Sequence, residues 1–198
     1  MSAARYALAA PATLTQEIRK SRFVAYARAV DSPDAALAFV AQVSDAKATH
    51  NCWAYRVGQA YRFNDDGEPA GTAGKPMLQA IDGQQLDRVA VVVTRWFGGI
   101  KLGAGGLMRA YGGCAAECLR LAAKTAIIAL ATVEFTLPFA LLPLLYARLA
   151  ELQATKLDER YEGDGAVLRL ALPVDRVAAL RTLLADATRG RAEFVLLD

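Results

Sequence analysis

The sequence has little of several things, and each shortage excludes a class of protein. Of 198 residues only 3 are cysteine, an odd and small number, so no disulfide framework is expected and a reducing compartment is. Histidine occurs once, at His50. Cys114 and Cys118 lie four apart on an expected helix with no third or fourth ligand near, which reads as buried thiols rather than a zinc centre. The longest uncharged apolar stretch, Leu137 to Ala147, is 11 residues and carries Pro138 and Pro143. A bilayer needs about 20 residues, so no membrane span is expected. The opening residues lack the basic and apolar regions of a signal peptide. A cytoplasmic globular protein with neither metal nor cofactor is the expectation.

What is present is unevenly placed. Hydrophobic residues make 55% and charged residues 22%, enough for a packed core. Eleven of the 15 glycines fall between Gly67 and Gly113, and none between Cys114 and Glu162. Residues 1–124 carry a net charge of +5 and residues 125–198 a net of −2. Between Asp87 and Glu117 there is no acid, only Arg88, Arg95, Lys101 and Arg109. These shifts place a domain boundary near Lys124, giving domains 1–124 and 125–198.

Residues 125–198 read as βαββαβ. Val133, Phe135 and Leu137 alternate with polar residues in a strand from Ile127 to Leu137. Leu141, Leu144, Leu145, Leu149 and Leu152 follow at helical spacing. Two strands flank Gly163-Asp164-Gly165, a helix spans Val174 to Thr188, and a last strand spans Glu193 to Leu197. This is the ferredoxin-like order. In residues 1–124 strands are expected at Phe23–Val30, Cys52–Val57, Tyr61–Asn64 and Val89–Val93, the last buried on both faces. Helices are expected at Pro33–Ala46, Gly74–Gln84 and Leu107–Ala123. No internal repeat stands out.

The sharpest segment runs from Thr94 to Tyr111. A buried strand feeds a glycine-rich loop, and the loop opens a helix. Backbone amides in such a loop converge without side chains in the way, and the helix N-terminus adds partial positive charge. Arg95, Lys101 and Arg109 accompany Gly98, Gly99, Gly103, Gly105 and Gly106. That combination suits a phosphate or phosphodiester. It is neither a Walker A loop, since Ala104 replaces the lysine, nor G-x-G-x-x-G, since Met108 replaces the last glycine. The same glycines are compatible with close packing alone.

The second segment is His50 to Arg56 with Asn64 to Gly74. His50 is a candidate general base, and Asp65, Asp66 and Glu68 are candidate catalytic acids. The acids fit an ordinary turn equally well, with Gly67 and Pro69 among them. Trp53 and Trp96 are candidates for stacking on bases, or for the core.

Four blocks in these segments carry a resemblance: Lys20-Ser21-Arg22-Phe23; His50-Asn51-Cys52-Trp53-Ala54-Tyr55; Asp65-Asp66-Gly67-Glu68-Pro69 with Gly71-Thr72-Ala73-Gly74; and Arg95 through Gly103 with Gly105-Gly106-Leu107 and Arg109-Ala110-Tyr111. In that order they resemble the IMPACT/YigZ family, in its bacterial two-domain form, over residues 15–122. Trp96 stands where tyrosine is usual and Ala70 where serine is usual. The resemblance implies an α+β protein. Its N-terminal domain would be a β-sheet with helices on one face, similar to domain IV of elongation factor G. Its C-terminal domain would be ferredoxin-like. Eukaryotic relatives regulate translation. The family therefore implies a binding protein that contacts RNA or the ribosome, or a protein partner, rather than an established enzyme. An enzyme acting on a phosphorylated or carbonyl small molecule through His50 and the three acids is the alternative.

Overall fold

The computed structural model describes residues 5–197. The chain divides into two compact units, Met1–Ile127 and Ile128–Asp198. The first holds β1 (Arg5–Leu8), β2 (Ala12–Ile18), β3 (Ser21–Ala29), α1 (Pro33–Val43), β4 (His50–Val57), β5 (Ala60–Asn64), α2 (Gly74–Gly83), β6 (Val89–Trp96), α3 (Ala104–Leu121) and β7 (Lys124–Ile127). The second holds β8 (Leu130–Pro138), α4 (Leu142–Arg148), β9 (Thr155–Glu162), β10 (Gly165–Pro173), α5 (Val177–Thr188) and β11 (Phe194–Leu197). This is the two-domain α+β architecture expected from the sequence.

In the first unit a five-stranded antiparallel sheet has the order β2-β3-β6-β4-β5. Its centre is β6, where Val89 to Val93 have no exposed surface. The run divides by parity. Val89, Val91 and Val93 join a core with Met77 and Ile81 of α2 and Tyr111, Cys114 and Leu119 of α3. Ala90 and Val92 join a smaller core with Ala36 and Phe39 of α1. Helices thus cover both faces of the sheet, not one as expected, because a continuous apolar run has no face to offer water. Ser32 caps α1, its Oγ accepting from the Ala35 amide at 3.1 Å, with Pro33 in the first turn.

Two edge elements are additional to the sequence reading. Along β2, inward Ala12, Leu14, Gln16 and Ile18 alternate with exposed Thr13, Thr15 and Glu17. β1 pairs with β7, Arg5 opposite Ile127 and Leu8 opposite Lys124. The strand expected at Ile127–Leu137 is β8, which starts only at Leu130, and residues 125–127 lie with the first unit.

The second unit is an antiparallel sheet of order β11-β8-β10-β9. Val133, Phe135, Leu168 and Leu170 pack against Leu145 of α4 and Leu180 and Leu184 of α5. Strands β8 and β10 each end in Leu-Pro and pass through one 3-10 turn into a helix. The fold reveals a repeat that the sequence hides: Phe135 and Leu170, Leu137 and Leu172, Pro138 and Pro173, Leu145 and Leu180 are each 35 residues apart. Of these eight residues only Pro138 is exposed, so the repeat is carried mainly by the core.

Candidate functional site

The chemistry-bearing residues gather at one end of the five-stranded sheet. Along β6 the inward stripe Val89-Val91-Val93 continues to Arg95. Arg95 lies opposite Phe23 of β3 and His50 of β4, so all three share a face. Arg95 is 5% exposed. Its Nη1 donates to Glu68 Oε1 at 2.6 Å and its Nη2 to Ser21 Oγ at 3.3 Å. Its Nε is buried with no hydrogen-bond partner. Its guanidinium carbon sits 5.5 Å from the Phe23 ring centroid and 5.4 Å from that of Phe97. Arg95, expected to face phosphate, is instead an internal ion, because its parity on β6 turns it toward the core.

Glu68 is the hub. Its side chain is 4% exposed, and Oε1 also accepts from the Tyr111 hydroxyl at 2.7 Å. His50 Nε2 lies 3.7 Å from the same oxygen. His50 Nδ1 lies 2.7 Å from the Asp66 carbonyl. A carbonyl only accepts, so Nδ1 carries the proton and Nε2 faces Glu68. Burial holds the Tyr111 hydroxyl far above its usual pKa, so it stays a donor to Glu68. Burial also pushes the Cys52 thiol up to about 12, the Tyr111 hydrogen bond offsetting only part of this. A protonated, fully buried thiol is not a nucleophile.

The other two acids do not join this group. Asp65 accepts from the amides of Gly71, Ala73 and Gly74 at 2.8, 3.0 and 2.8 Å. It caps α2 from outside the helix, where Ala73 supplies no capping side chain. Asp66 accepts from the Asn51 amide at 2.5 Å. Of the four catalytic candidates, His50 and Glu68 come together, while Asp65 and Asp66 hold backbone. Among the described residues no group of three or more His, Cys, Asp or Glu could hold a metal.

The glycine loop is fixed from beneath. Thr49 accepts the Phe97 amide through Oγ1 at 2.9 Å, and Ser21 Oγ accepts the Gly98 amide at 3.2 Å. Gly98 crosses the β2–β3 turn so closely that a Cβ would stand 1.8 Å from the Lys20 carbonyl oxygen. Gly98 is therefore required for packing. Gly103 has φ 71° and precedes α3 without a side-chain cap. Gly99 lies exposed in the loop, while Gly105 and Gly106 form the first turn of α3, which holds no acid. The helix starts a turn earlier than expected from Leu107.

Beside that turn lies a cleft of about 270 Å³ lined by Ile18, Arg19, Leu102, Gly106, Arg109 and Ala110. Arg19, Lys20, Lys101 and Arg109 are exposed around the loop. Arg19 and Lys20 form the β2–β3 turn with φ 47° and 66°. Sequence reasoning missed Arg19, since only the fold brings the hairpin turn to the loop. The tryptophans are elsewhere. Trp53 is on the α1 face, stacked on Tyr55 at 6.0 Å, and Trp96 is half-buried with the Arg22 guanidinium 4.8 Å from its ring centroid.

Residues 19–119, which include every residue of this cluster but Ile18, match the Impact N-terminal domain. The chain belongs to the IMPACT family. Residues 135–191 match a domain of unknown function, DUF1949. The chain is similar to the IMPACT family member in the pol 5′ region of Thermus thermophilus, at 45% identity over 175 residues, covering 88% of this chain and 97% of that protein. It is 37% identical over 197 residues to the IMPACT family member YigZ of Escherichia coli strain K12, covering 96% of each. A crystal structure titled only as that of a hypothetical protein superposes with TM-score 0.69 at 36% identity, over 100% of this chain and 99% of that one. The IMPACT match thus takes in both the glycine loop and the buried Glu68–Arg95 pair. Among the described residues no helix is long and apolar enough to cross a membrane.

Proposed function

We propose that this IMPACT family chain is a non-catalytic binding protein that holds the sugar–phosphate backbone of RNA at the start of α3. The carrying observation is the cleft beside the uncapped, acid-free first turn of α3, with Arg19 and Arg109 among its lining residues. Free amides and guanidinium forks suit phosphate oxygens, and they read no base sequence. Lys101, exposed in the same loop, extends the positive surface. The acids nearby do not oppose it: Glu68 is neutralised by Arg95, and Asp65 is held by three amides. The same facts argue against acid–base catalysis by these carboxylates. A regulatory, translation-linked setting in the cytoplasm is what family resemblance implies for such binding.

A salt titration of fluorescent single-stranded RNA tests this. Each lost phosphate contact removes about 0.7 from the slope of log K against log salt. The variant Arg19→Gln/Lys101→Gln/Arg109→Gln should flatten the slope by about 2 units. An unchanged slope in a folded variant rules the surface out.

A further inference from the structure

The loop that offers its amides also presents an aromatic ring in an unusual state. Phe97 is 47% exposed, although it follows directly on the buried end of β6. Its backbone is not free to tuck the ring away. The Phe97 amide is bound to Thr49 Oγ1, and Gly98 is wedged against the Lys20 backbone. One guanidinium, that of Arg95, lies 5.4 Å from the ring centroid, and it is locked by Glu68 and Ser21. The ring is therefore held from within and open to solvent outside. Ile100 in the loop and Met108 in α3, 39% and 45% exposed, are further apolar side chains open to solvent in this segment.

We infer that Phe97 is a stacking platform for an unpaired nucleobase, so that the ligand class of this loop is single-stranded RNA and not duplex. This rests on the phosphate-binding reading above and adds to it a contact that phosphates cannot supply. Base–aromatic stacking is indifferent to base identity, because every base has a π-face, but it needs that face uncovered. A base within a helix has both faces occupied by its neighbours. An exposed ring beside cations is the combination found on single-strand binding surfaces. The tryptophans are poorer platforms, since both are half-buried, Trp53 against Tyr55 and Trp96 against Arg22. Arg95 is then a positioning residue: it backs the platform and does not touch the nucleic acid.

The test uses the full chain with a single-stranded RNA carrying 2-aminopurine, and with the same RNA annealed to its complement. The expected result is a fluorescence change on binding the single strand and weaker binding of the duplex. Phe97→Ala should lose the fluorescence change and about 5- to 150-fold in affinity, the range for removing one stacked base, with the salt slope unchanged. Phe97→Trp should restore both. Because Phe97 is exposed, both variants should melt near the parent temperature, which is measured alongside. If Phe97→Ala binds single strands as the parent does, or if duplex binds as tightly, the inference is overturned while the phosphate reading stands. If no RNA binds the parent at low salt, both fall.

Discussion

The two units differ in where their most connected ion pairs lie. In the first, Glu68 and Arg95 pair inside the protein, with side chains 4% and 6% exposed, and add Tyr111 and Ser21 as partners. In the second, Glu134 meets Arg169 at 2.8 Å and Arg160 at 3.5 Å, and Arg160 meets Asp158 at 3.6 Å, all on the open side of the sheet. There the arginines are 42% and 52% exposed. A buried pair costs several kcal/mol per ion in desolvation, so one that is kept does something besides stabilise. Here it ties the β5–α2 loop to the end of β6 and the platform at Phe97. The surface network ties nothing that the sheet does not already hold. Polar groups inside a fold mark where geometry is being held, and charges outside mark where solubility is.

The comparison breaks most completely if the units are not separable. Residues 128–198 expressed alone should give the circular dichroism of a folded α+β domain and a cooperative melt. A random-coil spectrum removes the basis for treating the units apart. The next largest effect is at the buried pair. Glu68→Ala leaves Arg95 charged, buried and unpaired, and should cost about 3–5 kcal/mol in urea unfolding of the whole chain. Replacing both partners, as in Glu68→Gln/Arg95→Met, should recover much of that loss.

Alkaline pH sharpens the contrast, because all 3 cysteines lie in the first unit. Burial raises Cys52 and Cys114 to about 12 and Cys118 to about 11, against 9.0 for an unperturbed thiol. Below pH 9 both states hold the protons and nothing changes. Above it the unfolded thiols ionise while the folded ones cannot, so stability falls as pH rises from about 9 toward 11 to 12. Urea midpoints should show this fall in the whole chain, less of it in Cys52→Ser, and none from thiols in the 128–198 fragment. The smallest effect is at the surface network, where Glu134→Ala should cost less than about 1 kcal/mol.

Much of this was legible in the residues, and the exceptions have physical reasons. The second unit could be read through because β8 and β10 alternate cleanly and its turn is Gly163-Asp164. Its 35-residue repeat stayed hidden because outward positions are free to differ. The start of α1 was legible from Pro33, with Asp31 and Ser32 both open as its cap; in the structure the cap is Ser32. The start of α3 was not, because Gly105 and Gly106 are poor helix formers and carry no helical signal; at Gly106 a Cβ would meet Leu102 at 2.9 Å. The burial of Arg95 was written in the parity of Val89, Val91 and Val93, but positive charge near glycines pointed the other way. Arg19 was invisible to motif reading, because a hairpin turn reaches the loop only once β3 pairs with β6.

Asp65 has a consequence for anyone who wishes to alter the protein. Its carboxylate gathers the amides of Gly71, Ala73 and Gly74, so the ten residues from Asp65 to Gly74 form a ring closed by hydrogen bonds instead of a connector with slack. A tag, protease site or fluorophore placed there opens the ring, uncaps α2 and moves Glu68, and through it Arg95. The turn at Gly163-Asp164 is exposed and joins two strands already zipped in register from Gly165 opposite Glu162. That is where a reporter is best inserted.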